Sequence, residues 1–325
     1  MKSTLPGLID VHVHLREPGA THKEDFLTGT RAAVKGGFAF VIDMPNNPGM
    51  PTISAERLEE KIELSKKGVC GVGFHFGTNG KNLDEFKKIW DNPRVFGLKI
   101  YMNNTTGELL VENPEDIFKA WESPKPILVH AEGSQLEKAI ELAKKYNRKL
   151  HVCHVSLASE VELIRNTKHE HRITISAGVT PHHLFLTEGK MKPPINTEKD
   201  KEALWRGIAD QTIDLIETDH APHLQSEKAF GVPGLETALG LMGLAIYEKR
   251  ITNNDLIKLM HDNPKRIFNI PAWPAGRPDT DGHIEVDFEK SYTVAGPYET
   301  KCNWSPFEGW TLYGKIETHH INKAV

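Results

Sequence analysis

Short apolar runs alternate with stretches of helical periodicity along most of the chain. In LPGLIDVHVHLREPG at 5–19, Leu8, Ile9, Val11 and Val13 are strand formers. Further runs follow at 37–43 (GFAFVID), 69–76 (VCGVGFHF), 95–101 (VFGLKIY), 126–132 (PILVHAE), 150–156 (LHVCHVS), 173–179 (ITISAGV) and 212–219 (TIDLIETD). Between them lie helical segments, clearest from Asp25 to Lys35, Ala55 to Lys67, Gln135 to Tyr146 and Ser159 to Asn166. Eight strands alternating with helices predict an α/β chain closed into a (β/α)8 barrel of the TIM type rather than an open sheet. Beyond about residue 270 the pattern changes: Pro271, Pro274, Gly276, Pro278 and Gly282 mark a loop, and short strands without a helix follow. Residues 1–270 are expected to form the barrel and 271–325 a β-rich extension packed on it.

The polar residues of these runs matter for chemistry. Strand side chains alternate, which places Asp10, His12 and His14 on one face and Ile9, Val11 and Val13 on the other. Two imidazoles on a buried face are costly without a partner. A metal ion is one such partner; a solvated edge strand would explain them equally. In a barrel of this type the active site lies at the C-terminal ends of the strands. His12 and His14 end the first strand, Lys99 lies in the fourth, and His130, His154 and Asp219 end the fifth, sixth and eighth. Singly, each has an ordinary structural explanation: a surface lysine, a satisfied core histidine, a helix N-cap. Together they converge on one mouth. Nitrogen and carboxylate donors without thiolate suit Zn²⁺ in a catalytic site. Six groups are too many for one tetrahedral ion and suit two ions roughly 3.5–4 Å apart. Beside two dications the neutral form of Lys99 is favoured. A neutral amine adds CO₂ to give a carbamate, whose two oxygens can bridge the metals.

Composition narrows the class without adding a second candidate. The formal charge is −4, from 40 basic and 44 acidic residues, so neither nucleic acid nor an anionic membrane surface is an expected partner. No run is long enough to span a membrane, and Met1-Lys2-Ser3-Thr4 leads directly into the first strand, so no signal peptide is expected. Cys70, Cys153 and Cys302 are too few and scattered for a disulfide framework, and a cytoplasmic location is expected.

Several motifs resemble the dihydroorotases of the amidohydrolase superfamily: DVHVHLREPG, MPNN at 44–47, GLKIY, VHAE, CHVS, TPHHLFL at 180–186 and TDHAPH at 218–223. HVHLREPGATHKEDFLTGTRAAVKGG is similar in particular to the dihydroorotase domain of the animal multifunctional pyrimidine-synthesis protein. PGLET at 233–237, NPKRIF at 263–268 and WSPFEG at 304–309 extend the resemblance over nearly the whole chain. It implies reversible cyclisation of N-carbamoyl-L-aspartate to L-dihydroorotate in pyrimidine biosynthesis. His12, His14, Lys99 and Asp219 would hold one zinc, and Lys99, His130 and His154 the other, with Lys99 carboxylated. Asp219 would be the catalytic acid and base. Arg16, Asn46 and His223 would bind the substrate, with Thr105 in a mobile loop covering it. A homodimer, and association with aspartate transcarbamoylase, are expected on the same ground.

The departures are specific. The animal domain is associated with a third metal held partly by a Cys and a Glu. Cys153 matches the first, but Gly178 stands at the Glu position, so no third metal is expected and Cys153 is read as a small buried residue. Lys192, in MKPP, stands where an Arg is common and offers a point charge instead of a fork. Longer members carry an N-terminal stretch that helps build a β-sandwich; here that module is expected to be small or absent. The alternatives are a hydantoinase or dihydropyrimidinase, whose rings lack the carboxylate and have no use for Arg16, an allantoinase, and a non-catalytic scaffold for aspartate transcarbamoylase, which would be expected to lose ligands. His182, His183 and His220 have no expected role beyond hydrogen bonding near the metal site, and His319-His320 is expected at the surface.

Overall fold

The computed structural model describes residues 2–105, 107–271 and 282–321. Eight parallel strands stand side by side in chain order: β2 (Leu8–Val13), β3 (Phe38–Asp43), β4 (Gly71–Gly77), β5 (Val95–Tyr101), β6 (Ile127–His130), β7 (Leu150–Val152), β8 (Ile175–Val179) and β9 (Leu215–Ile216). A parallel bridge between Val13 and His220, with the His14 amide donating to the His220 carbonyl, carries the last strand back to the first. The expected (β/α)8 barrel is formed.

Connecting helices start where the side chains allow. Asp25 caps α1 (Phe26–Lys35) by accepting from the Thr28 amide, and Ser54 caps α2 (Ala55–Ser65) by accepting from the Arg57 amide. Two apolar layers result. Leu8, Val41, Phe74, Leu98 and Val129 pack outward against helix residues such as Phe26, Leu58 and Leu136. Ile9, Val11, Phe40, Phe96, Leu128 and Phe268 plug the barrel from within. This inner plug forms the floor beneath the strand ends.

Three details differ from the sequence expectation. Lys2–Pro6 forms a strand, β1, that leaves the barrel and pairs antiparallel with β10 (His283–Thr293), which in turn pairs with β11 (Thr311–His320). The module expected to be small or absent is a small three-stranded sheet; what differs is that Lys2–Pro6 belongs to it and not to the barrel. β10 and β11 run for 11 and 10 residues, longer than the short strands expected. In β2 a register shift between Asp10 and Val13 interrupts the alternation. Ile9 and Val11 join the inner cluster and Val13 the outer one, so these three do not share a face. Of the loop markers, Pro274, Gly276 and Pro278 lie outside the described residues. Among the described residues no helix is long and apolar enough to cross a membrane.

Candidate metal and substrate site

The strand ends bring five of the six expected ligands to one buried cavity, with the sixth beneath it. His12, His14, His130, His154 and Asp219 line a cavity at the barrel mouth. Lys99, on β5, is fully buried, its Nζ 3.1 Å from Cys153 Sγ and 5.0 Å from the centre of the Tyr101 ring. Asp219 Oδ1 lies 3.1 Å from His14 Nε2 and 3.4 Å from His12 Nε2. His130 Nδ1 lies 3.0 Å from His154 Nε2. Asp219 and His154 have φ of 46° and 37°, in the left-handed region that non-glycine residues rarely adopt. Both backbones leave their strands sharply and turn these side chains into the mouth. Such strain clusters at functional sites.

The donors suit a cation. Burial, the largest cause, lowers His12 to about 4. Burial also pushes His14, His130 and His154 below the usual imidazole range. All four are therefore neutral at neutral pH, with lone pairs available. His154 Nδ1 is buried without a hydrogen-bond partner, and His12 Nδ1 and His130 Nε2 meet only a carboxylate oxygen at 3.5 Å, from Glu217 and Glu132. Orphaned buried nitrogens carry a desolvation cost that a bound metal would relieve. His12, His154 and Asp219 offer ligand atoms within 4.8 Å of one another. The residues present fit a metal centre.

A second group with atoms within 4.8 Å of one another is His12, Cys153 and Glu217. Sequence reasoning passed over Glu217. It is fully buried, accepts from the His154 amide, and places Oε2 3.3 Å from His151 Nε2 and 3.5 Å from His12 Nδ1. A Cβ on Gly178 would come within 2.6 Å of Glu217 Cδ. The side chain missing at Gly178 is therefore replaced in space by a carboxylate from the neighbouring strand. The signal lay in IETD, where Glu217 interrupts an apolar run two positions before Asp219.

Next to His14 the cavity lining is built for a polar ligand. Arg16, Asn46 and Thr105 line the cavity, with Lys192 and Phe230 at the edge. Arg16 is 3 % exposed, has φ of 61°, and donates from Nε to the Pro222 carbonyl (3.2 Å) and from Nη2 to His223 Nε2 (2.9 Å). Burial, then the Arg16 charge, lowers His223 to about 4, consistent with a neutral acceptor. His223 thus stands behind Arg16 and not on the cavity wall. Lys192 Nζ donates to the Asn104 carbonyl at 3.0 Å and sits over the Phe230 ring, a point-charge contact as expected. His183 Nε2 pairs with the Pro193 carbonyl (3.0 Å), and His220 Nδ1 accepts from the Gly234 amide (3.1 Å). His319 and His320 are exposed on β11.

Comparison with known proteins gives a consistent picture. A model described as Amidohydrolase family matches residues 4–272. The chain is 40% identical to the multifunctional protein pyr1-3 of Dictyostelium discoideum over 96% of its own length, but spans 14% of that protein. It is 36% identical to a dihydroorotase of Pyrococcus horikoshii, covering 97% of this chain and 78% of the relative. In fold it matches an L-hydantoinase (dihydropyrimidinase) from Arthrobacter aurescens with a TM-score of 0.90, over 100% of this chain and 86% of the other, at 21% identity.

Proposed function

The chain belongs to the amidohydrolase family, alongside the dihydroorotases, and from that premise we propose that it interconverts N-carbamoyl-L-aspartate and L-dihydroorotate. The observation that carries this is Arg16 beside Asn46 in the lining of the same cavity that four histidines and Asp219 line. Dihydroorotate is a cyclic amide with a free carboxylate. The histidines and the aspartate suit the amide, and the arginine suits the carboxylate through a planar, charge-assisted pair.

Two zinc ions are proposed, held by His12, His14 and Asp219 on one side and His130 and His154 on the other, with a carboxylated Lys99 shared between them. When bound, they supply Lewis acidity for the attacked carbonyl and an acidified water. The chain's own residues do the rest. Asp219 takes the proton of the attacking water and delivers it to the ring nitrogen as the C–N bond breaks. Arg16 and Asn46 hold the ring carboxylate, with His223 steadying the guanidinium from behind. Thr105 closes the cavity side facing solvent. Cyclisation runs the same proton path backwards, with loss of water. Chemistry is assigned to the barrel, up to about residue 270, and support to the remainder. Homodimerisation, and association with aspartate transcarbamoylase, are proposed as extensions; light scattering of the purified chain, alone and mixed with the transcarbamoylase, tests both.

Arg16→Met tests the reading directly. The change keeps the length and removes the fork, leaving every proposed metal ligand in place. A charge-assisted hydrogen bond contributes roughly 1.5–3 kcal/mol, and each 1.4 kcal/mol is about a factor of ten. Turnover of dihydroorotate per unit KM should fall about tenfold to a hundredfold, with zinc content retained. Hydrolysis of dihydrouracil, which lacks the carboxylate, should be nearly unchanged. If the native protein prefers dihydrouracil or hydantoin, or if both activities fall alike, a hydantoinase is the better assignment.

A further inference from the structure

We propose that Lys61 is a positioning residue for carboxylate recognition, clamping the two segments that carry Arg16 and Asn46 at a fixed separation. This inference rests on the dihydroorotase reading and adds to it a residue with no contact to the cavity. In α2 the buried positions are Leu58, Lys61 and Ser65, a helical stripe facing the barrel. Lys61 thus occupies a place where the periodicity calls for an apolar side chain, and it is fully buried. An ammonium there is costly unless every proton is used. Nζ lies 2.8 Å from the Met44 carbonyl, 2.8 Å from Asn47 Oδ1 and 2.7 Å from Asp43 Oδ2, which uses all three.

These three partners bracket Asn46 in the segment leaving β3. Two of them also reach the segment leaving β2. Asp43 Oδ1 accepts from the Leu15 amide at 2.7 Å, and Asn47 Nδ2 donates to the Pro18 carbonyl at 2.9 Å. Leu15 and Pro18 flank Arg16, the residue held at φ 61°. A strained backbone persists only where its surroundings over-determine it. Here the hydrogen bonds at Leu15 and Pro18 do so, and both end on groups that Lys61 holds. The guanidinium is fixed separately by Pro222 and His223. Lys61 therefore acts on the base of the Arg16 segment and on Asn46 together. Misplacement of either by a fraction of an ångström weakens a bidentate grip more than it weakens chemistry at ligands carried by the other strand ends.

The test is the Lys61→Met/Asp43→Asn pair of substitutions, compared with Lys61→Met alone, in the zinc-loaded protein. The single change leaves Asp43 buried and unpaired and is expected to destabilise the fold; the double change removes both charges. For the double variant, zinc per chain should stay at the native value. KM for dihydroorotate should rise by about tenfold or more, the scale of one charge-assisted hydrogen bond, with kcat within about threefold and dihydrouracil hydrolysis essentially unchanged. An unchanged KM, or equal losses on both substrates, overturns the positioning role and leaves Lys61 as a general support of the fold. If the double variant does not fold, Asn47→Leu decides, since it cuts the Pro18 link while keeping the ion pair; a native KM there also overturns the proposal. A native protein that shows no preference for the carboxylated ring overturns the dihydroorotase reading itself, whatever the Lys61 variants do.

Discussion

Lys99→Ala should release about one of the two proposed ions per chain and abolish nearly all turnover. Lys99 is wholly buried on β5 between Cys153 and the Tyr101 ring. Among the described residues no carboxylate comes within ion-pair distance of its Nζ. An uncompensated ammonium in that position would cost several kcal/mol. Carboxylation turns it into an anion in the midst of nitrogen donors that are neutral at neutral pH, a suitable bridge for two cations. Elemental analysis should read about two metals per native chain, and native mass should include one added CO₂. Removing the lysine chain also opens a void, which for a buried side chain cut to alanine costs about 2–5 kcal/mol. Lys99→Met fills that space and should lose metal and activity equally, which separates the ligand from the packing role. Partial rescue of Lys99→Ala by short carboxylic acids would support the bridge. A native chain with fewer than one metal, or full activity without added CO₂, would sink it.

The barrel was legible because each parallel strand is covered on both faces and so reads as a nearly continuous apolar run. Helix starts were legible at Asp25, whose side chain accepts from the first turn. Strand ends were less so. LHVCHVS and TIDLIETD read as longer strands than β7 and β9, because His154 and Asp219 leave strand geometry to face the mouth. The composition of a run records burial, and it does not record where the backbone turns. KSTLP at 2–6 has only Leu5 fully buried, and its partner strand starts at His283, so no local pattern announced it. Local patterns were equally silent on Lys61 and Glu217. A lysine in AERLEEKIELS reads as solvated, and only the packing of α2 on the ends of β2 and β3 shows otherwise. Glu217 fills space left open at Gly178, a relation between neighbouring strands that a one-dimensional comparison of positions scored as a loss. The proposed ligands were found because they are rare residue types at predictable strand ends. Residues that support them were missed because what identifies them is their neighbours.

Asp219→Asn should cut turnover by about 10²–10⁴-fold, the usual contribution of a positioned acid–base group, while most of the metal stays bound. The two effects separate because the substitution is nearly isosteric. Asparagine keeps an oxygen toward His14 Nε2 and His12 Nε2, now 3.1 and 3.4 Å from Asp219 Oδ1. The left-handed backbone at φ 46° also tolerates Asn as well as Asp. What is lost is the capacity to take a proton from water and return it to the ring nitrogen. The size of the loss should depend on the leaving group. A ring whose nitrogen is made less basic by an electron-withdrawing substituent leans less on the returned proton, so its penalty should be smaller than that of dihydroorotate. A simple loss of metal would instead slow both rings by the same factor and would show in the zinc count. A fall of less than about tenfold, with metal retained, would assign the proton transfer to another group.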